Sequence, residues 1–370
     1  MALPSFLDTL RLSLFDGGPG FSQVAVTNRC NADCAFCNFA RSQGLEKHDA
    51  PADRLLRSID VLYEKGIRYV ALIGGEPLLY PDMDRVVSGM SRRGMEPIIC
   101  TNGWLLSEKR IRRLADTGIR NLIISIDAPD AGVHDRNRGL PGLTEKIRKA
   151  NAIINRLGMH STASVTISRL LGDIKRLPTF LDEMGFADLT FSYPLQKLYS
   201  TYLSYSDSRL VEFSACELLA IFEQLKALKK HFRVLNPTAG MDEMMRFLRN
   251  EPARFPCLAG YKYFFIDWNL DVYRCHYLPT RICSVEDLPN AAPVRDNCAR
   301  CMIDCYREPS ILQYCAVALA DSWRELKKGR LRSSAACLFN SNNLVSLEAV
   351  AEQFELVRRY KRRRETNGAR

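Results

Sequence analysis

Between residues 20 and 195 the chain alternates two hydrophobic periods. Gln23–Thr27, Tyr69–Ile73, Pro97–Cys100, Asn121–Ile126, Ser161–Ile167 and Asp188–Ser192 are short runs rich in β-branched and aliphatic residues. They read as strands, because such side chains suit a pleated, half-buried surface. Stretches near 52–65, 81–93, 107–117, 142–157 and 173–184 instead place apolar residues at helical spacing, which predicts amphipathic helices. Gly66, Gly94, Gly118, Gly158 and Gly185 fall where each helix should stop, as glycines past a helix C-terminus do. Regular strand–helix alternation predicts an α/β fold with a parallel sheet, either curved into a full or partial barrel or open and doubly wound. After about residue 200 the pattern changes to helices (208–230 and 240–250) and then to a cysteine-rich segment.

In a barrel of this kind chemistry gathers at the C-terminal ends of the strands. The polar features fall there: a cysteine loop after the first strand, "GGEP" (74–77) after the second and "TNG" (101–103) after the third. Ser125 and Asp127 end the fourth strand, Thr166 and Ser168 the fifth, and Tyr193 the sixth.

Composition narrows the picture. The 370 residues are 46% hydrophobic and 25% charged, a globular balance that can bury a core without covalent staples. The thirteen cysteines are therefore not needed for stability, and their tight spacings read as metal ligation rather than a disulfide framework. No apolar run approaches the ~18 residues of a membrane span. Asp8 and Arg11 interrupt the N-terminal apolar stretch, so no signal peptide is expected and the expected location is cytoplasmic. Phe6, Leu7, Leu10 and Leu14 share one helical face, which is expected to pack on the body of the protein; contact with lipid is the alternative. Part of the net charge of +10 sits in the tail "RRYKRRRETNGAR", after an amphipathic stretch through Leu344, Leu347, Ala351, Phe354 and Val357. The plain reading is a solvated helix end with cations at its favourable pole; a peripheral membrane contact would use the same charge.

Cys30, Cys34 and Cys37 stand in "TNRCNADCAFCNF". Three thiolates suit zinc, copper(I) or an iron–sulfur cluster. A zinc site would lack a fourth ligand unless His48 supplied it, and three core thiols remain a further reading. A cubane on three cysteines leaves one iron open, whereas pure electron transfer would use four.

CxxxCxxC with an aromatic before its last cysteine (Phe36), placed after strand one of a βα repeat, resembles the radical S-adenosylmethionine (radical SAM) superfamily, and "GGEP" is similar to that family's second motif. The resemblance covers roughly residues 20–200 and implies a partial (β/α)6 TIM-type barrel. It implies that Cys30, Cys34 and Cys37 hold a [4Fe–4S] cluster whose open iron chelates S-adenosylmethionine, fed by an electron donor such as flavodoxin or ferredoxin. Gly74 and Gly75 would let backbone approach the methionine ammonium, Glu76 would complement its charge, Pro77 would stiffen the turn and Phe36 would lie against adenine. Ser125, Asp127, Asn102 and Ser168 are expected cofactor contacts. Arg138, in "HDRNRG" (134–139), would neutralise a carboxylate of cofactor or substrate, or anchor a loop by a salt bridge.

The segment between Cys257 and Cys275 reads as a β-hairpin (Tyr261–Ile266, then Val272–Arg274) and is followed by "CARCMIDC" with Cys298, Cys301 and Cys305. It resembles the twitch or SPASM-type extension of the superfamily, with one auxiliary [4Fe–4S] cluster on Cys257, Cys275, Cys298 and Cys301, and Cys305 able to replace one of the last two. Cys283 and Cys315 would help to hold a second cluster; zinc is a further alternative. Position 270 is Leu where relatives usually carry Gly. Cys100, Cys216 and Cys337 read as core thiols. The expected organisation is an N-terminal amphipathic segment (1–20), the barrel (21–205), a helical connector (206–256), the auxiliary-cluster region (257–320) and a C-terminal helix with a basic tail (321–370).

The expected function is hydrogen abstraction from a small-molecule, sugar or lipid-intermediate substrate, with Tyr193, Gln196 and Lys197 as the nearest polar groups. Maturation of a ribosomally made peptide is the alternative within the class. No aromatic–basic interleaving marks a stacking platform, so a nucleic-acid partner is not expected.

Overall fold

The computed structural model describes residues 6–37, 39, 46–194 and 208–367. Its strands are β1 (Gly20–Thr27), β2 (Ile67–Gly74), β3 (Glu96–Thr101), β4 (Asn121–Ile126), β5 (His160–Thr166), β6 (Asp188–Ser192), β7 (Tyr263–Ile266), β8 (Asp271–Tyr273) and β9 (Arg281–Ser284). They form one sheet in the order β6-β5-β4-β3-β2-β1-β7-β8-β9. The first six are parallel, β7 joins β1 in parallel, and β8 and β9 follow antiparallel. With β6 and β9 at its two edges the sheet is not closed among the described residues, which is the partial barrel expected.

The two faces of β4, β5 and β6 differ sharply. Leu122, Ile124, Ile126, Ala163, Val165, Leu189 and Phe191 are fully buried on the helix side. The alternate positions, Ser125, Ser164, Thr166, Thr190 and Ser192, are only half-buried. The period of two therefore survives with its polar members turned into the barrel, because the barrel interior here is a cavity rather than packed core. All five expected stop glycines sit past a helix end with φ between 71° and 108°.

Three expectations change. The helix expected over 173–184 is a 3-10 turn at Ile174–Arg176 followed by a helix at Leu177–Glu183, because Pro178 lacks the amide that a continuous helix would use. A helix at Ala131–Arg138 was not expected; it buries His134, Asn137 and Arg138 and so shows no apolar period. The N-terminal helix Phe6–Arg11 does not lay its apolar face on the body: Leu7, Leu10 and Leu14 are 75%, 43% and 42% exposed. It continues into a π-helical turn at Leu12–Asp16, whose wider spacing turns Leu12 inward and leaves Leu14 and Phe15 outside. An ion pair from Asp8 to the buried Arg68, 2.6 Å, ties this helix to β2. Among the scattered thiols Cys216 is exposed rather than core.

The hairpin of the cysteine-rich region is part of the barrel sheet, since Phe21–Val24 of β1 face Tyr263–Ile266 in parallel register. Its turn is closed by Asp267, whose carboxylate accepts from the amides of Asn269 (2.9 Å) and Asp271 (3.0 Å). Leu270 sits in that turn at φ 63° yet is fully buried. The left-handed backbone costs a non-glycine residue roughly 1–2 kcal/mol, whereas removing a buried leucine side chain costs about 2–5 kcal/mol. Core packing outweighs strain, so Leu270→Gly is expected to lower the melting temperature; a rise would show that strain dominates at this turn.

Candidate active site

The cysteine loop leaves β1 at Thr27 and is fixed from two sides. On the β2 side, the amides of Gly75 and Glu76 donate to the carbonyls of Thr27 (3.0 Å) and Arg29 (2.7 Å). A Cβ on Gly74 would stand 2.2 Å from the Thr27 carbonyl oxygen, and one on Gly75 would stand 2.1 Å from that of Arg29. The two glycines are thus required by the approach of two backbones, a packing reason that the motif alone did not reveal. Glu76 is fully buried, and its carboxylate accepts from Thr101 Oγ1 (2.6 Å), Asn102 N (2.7 Å) and Leu78 N (3.0 Å). Burial pushes its pKa up against these three bonds. Glu76 therefore ties the GGEP turn to the end of β3, and Pro77 opens the short 3-10 turn that follows.

On the other side, Asp33 N donates to the Arg138 carbonyl (2.8 Å) and Ala35 N to Asn137 Oδ1 (3.2 Å). Both residues are held by Asp127 at the end of β4. Its carboxylate takes Arg138 Nε at 2.7 Å and Nη2 at 2.5 Å, and Asn137 Nδ2 at 2.7 Å. Burial would raise the Asp127 pKa, but Arg138 and His134 outweigh it and hold the carboxyl well below the ordinary range. Arg138 is thereby a loop anchor, and it also borders the cavity.

A cavity of about 360 Å³ lies at the C-terminal ends of the strands. Cys30, Cys34, Phe36 and Cys37 form one wall beside Gly74, Gly75 and Asn102. Burial pushes the Cys30 thiol up to about 11 and that of Cys34 up to about 12, with Arg138 opposing in both cases. Ser125, Ser164, Thr166, Thr190 and Ser192 form the far wall. Ser125 is opposite Ser164 and Ser164 opposite Thr190, while Thr166 is opposite Ser192, so the hydroxyls make two cross-strand rows. The third wall comes from the cysteine-rich region, with His276, Asp304 and Cys305.

Cys257, Cys275, Cys298, Cys301 and Cys305 share one packing cluster with Tyr263 and Tyr306. Cys257 N donates to the Cys298 carbonyl at 3.0 Å. Cys305 is the member of this group that borders the barrel cavity, and its Sγ lies 3.8 Å from Gln23 Oε1. Gln23 Oε1 also accepts from Tyr306 OH at 2.7 Å and meets His276 Nδ1 at 3.1 Å. Cys283 is in β9 and Cys315 in the Tyr314–Lys327 helix, and neither shares that packing cluster.

The structure thus brings Cys30, Cys34, Phe36, Cys37, Gly74, Gly75, Asn102, Ser125, Arg138 and Tyr193 around one cavity. Glu76, Pro77, Asp127 and Ser168 are not part of its lining; Ser168 caps the turn at Leu170, its Oγ accepting from that amide at 3.3 Å. Tyr193 is buried, with its hydroxyl bonded to Glu308, and burial pushes Glu308 up to about 8. Gln196 and Lys197 lie outside the described residues. Sequence reasoning missed Gln23, Ser164, Thr190, Ser192, His276 and Asp304. The hydroxyl rows were readable from the alternation of polar residues in β5 and β6; the other three reach the cavity by tertiary contact.

Residues 24–173 match the family model described as the Radical SAM superfamily. The AdoMet-dependent heme synthase of Methanosarcina barkeri is 24% identical over 278 residues, which cover 71% of this chain and 78% of that protein. A GTP 3′,8-cyclase of Staphylococcus aureus is 29% identical over 167 residues, and the chain spans about half (48%) of its length. The solved structure of native anSMEcpe with bound AdoMet and a Cp18Cys peptide shares the fold at a TM-score of 0.53 and 14% identity, covering 94% of this chain and 99% of that one. The matched domain and these relatives together mark the chain as a radical SAM enzyme that uses S-adenosylmethionine and a [4Fe–4S] cluster.

The donor chemistry fits that group. The cavity holds three soft thiols on one wall, and the cysteine-rich region supplies enough further thiols for an auxiliary cluster. Among the described residues no three His, Cys, Asp or Glu side chains converge as tightly as one metal ion requires. A cubane makes no such demand, because each thiolate binds a different iron.

Asp127→Asn leaves Arg138 buried without a counter-charge, which typically costs about 3–5 kcal/mol. Chemical denaturation of the variant should register a loss of that size, and an unchanged midpoint would contradict the anchoring role. Because the folded pKa of Asp127 is depressed, its contribution is complete above the unfolded value of about 4. It is lost as pH falls through the lower folded value.

Proposed function

We propose that Cys30, Cys34 and Cys37 hold the catalytic [4Fe–4S] cluster, and that the enzyme abstracts hydrogen from a small hydroxylated, sugar-like molecule seated on the Ser/Thr rows of β4–β6. The cross-strand hydroxyl rows carry this reading: they lie at the far end of the parallel sheet from the cysteine loop and line the same cavity. When bound, the cluster supplies one electron through its open iron to split S-adenosylmethionine and so generate the 5′-deoxyadenosyl radical.

The chain's own residues account for the rest. The Asp127–Arg138 pair and the GGEP turn fix the cysteine loop from opposite sides, and so fix the loop from which Cys30, Cys34 and Cys37 would hold the cluster. Hydroxyls on a rigid sheet orient a polar substrate better than loop groups would, since they give and accept hydrogen bonds without moving. Phe36, Ile73 and Ile123 supply apolar lining that excludes water from a radical. A peptide substrate is the second reading; anSMEcpe, similar in fold, was solved with a peptide bound.

For the auxiliary cluster we assign Cys257, Cys275, Cys298 and Cys301 as ligands. Cys305 is left on the cavity side, where it borders the substrate space. Four thiolates close a cubane, which suits an electron relay rather than substrate ligation.

The reconstituted protein with dithionite should form 5′-deoxyadenosine, and Cys34→Ala should abolish it; survival of cleavage in a variant lacking all three loop cysteines would refute the assignment. Iron content should exceed about four per chain and fall to about that number on loss of Cys257 and Cys275. An iron count unmoved by that double substitution would remove the auxiliary site. Substrate class is read by deuterium transfer into 5′-deoxyadenosine: carbon-deuterated sugars should label it. Labelling from deuterated peptides alone would favour the second reading.

A further inference from the structure

Among the described residues the exposed large hydrophobic side chains all lie in two stretches, 7–15 and 319–354. The two stretches make one surface. Phe15 meets Trp323 edge to face, with ring centroids 6.1 Å apart, and the Tyr314–Lys327 helix packs against the Leu12–Asp16 turn. The same helix packs against Leu331–Leu338 and Ser341–Asn367.

On each helix the exposed apolar residues fall on one side. Leu319, Trp323 and Leu326 follow i, i+4, i+7 spacing, and Leu344, Leu347 and Phe354 follow i, i+3, i+10, which places each set on one face. Phe339, just past the end of the Leu331–Leu338 helix, is 88% exposed. Among the described residues, thirteen exposed large apolar side chains concentrated in four neighbouring segments are more than scattered surface hydrophobics, and they call for a partner.

Charge decides which partner. Residues 319–357 hold five Lys and Arg against five Asp and Glu, and the sequence then turns basic, with seven Lys and Arg against one Glu over 358–370. Beside the apolar face, a cavity of about 410 Å³ is bordered by Arg11, Lys65, Arg68, Lys262 and Arg324 and by the acids Asp16 and Glu64; Arg11, Arg68 and Arg324 are paired with Asp8, Asp16 or Asp321. The Lys262 ammonium is nearly buried and donates to the Asp16 backbone carbonyl at 2.8 Å. Burial, with Arg324, Arg68 and Lys65 nearby, depresses it to about 8 against the pull of Asp16. Exposed apolar side chains on a helix whose sequence runs on into a basic end, with a cavity at their margin that holds more cations than acids, match the interface of an anionic bilayer. There acyl chains receive the apolar groups and phosphates meet the cations.

We propose that this composite face, formed by the N-terminal helix and turn with the three C-terminal helices, docks the enzyme on an anionic phospholipid membrane. Among the described residues no helix is long and apolar enough to cross a membrane, so the attachment is peripheral. The Leu12–Asp16 turn lies by the start of β1 and the residues preceding β7, whereas the catalytic cavity is at the C-terminal ends of the strands. Docking is therefore separable from cofactor chemistry.

The test is co-sedimentation of the reconstituted enzyme with sucrose-loaded vesicles of phosphatidylcholine alone or with one-third phosphatidylglycerol. The anionic vesicles should bind about tenfold more tightly, and the difference should shrink as salt is raised. Leu326→Glu with Phe339→Glu should remove that gain while iron content and 5′-deoxyadenosine formation stay at wild-type levels. Equal binding to both vesicle types, or binding to neither, overturns the proposal. So does a dimer seen by light scattering that the double variant converts to monomer, since the face would then be covered by a second copy. A salt-sensitive gel shift with nucleic acid in place of vesicle binding would overturn it equally.

Discussion

The buried Asp127–Arg138 pair is the constraint on which the site rests. Two charges are taken out of water, and the cost is met because the guanidinium is held bidentately while Asn137 donates to the same carboxylate and His134 Nδ1 accepts from the Asp127 amide. A buried pair of this kind contributes little net stability, but it specifies geometry because every misplacement leaves a charge unmatched. What it specifies here is the path of the cysteine loop, through Asp33 N to the Arg138 carbonyl and Ala35 N to Asn137. Glu76 plays the parallel part across the loop, pinning β2 to β3 where two glycines let backbone lie on backbone. The cysteines therefore project from a loop clamped between strand ends.

The second consequence is that both cysteine groups address one space. β7 docks in parallel on β1, so the extension grows from the barrel's own sheet. Gln23, a β1 side chain, then bonds Tyr306 and His276 and lies against Cys305. A single polar side chain thus links the barrel interior to Cys305 of the cysteine-rich region. Burial raises both acids on this side, Asp304 up to about 7 and Glu308 to about 8.

Much of this was legible in the sequence, for physical reasons that differ from case to case. β4 and β6 were read to the residue, because Asn121–Ile126 and Asp188–Ser192 combine period-two patterning with a glycine-terminated helix before each. The cysteines of the loop after β1 were legible because three thiols at short spacing have few uses. Roles that depend on who sits beside whom were not. Glu76 and Asp127 looked like groups that face a ligand, and they prove to be internal clamps. The Ala131–Arg138 helix was hidden because it buries polar residues. The N-terminal helix misled in another way: its apolar face was genuine, but one π turn rotates it outward, and no sequence period reports a change in helical pitch.

The central claim is that an iron held by Cys30, Cys34 and Cys37 stays open to S-adenosylmethionine. The most direct measurement is electron–nuclear double resonance on the dithionite-reduced, reconstituted enzyme with S-adenosylmethionine carrying ¹⁷O in its carboxylate. A resolved ¹⁷O coupling to a reduced cluster, lost when Cys34 is replaced by Ala, is the predicted result. A reduced cluster signal with no coupling to the cofactor, its remaining corner filled by a protein ligand, would contradict the account.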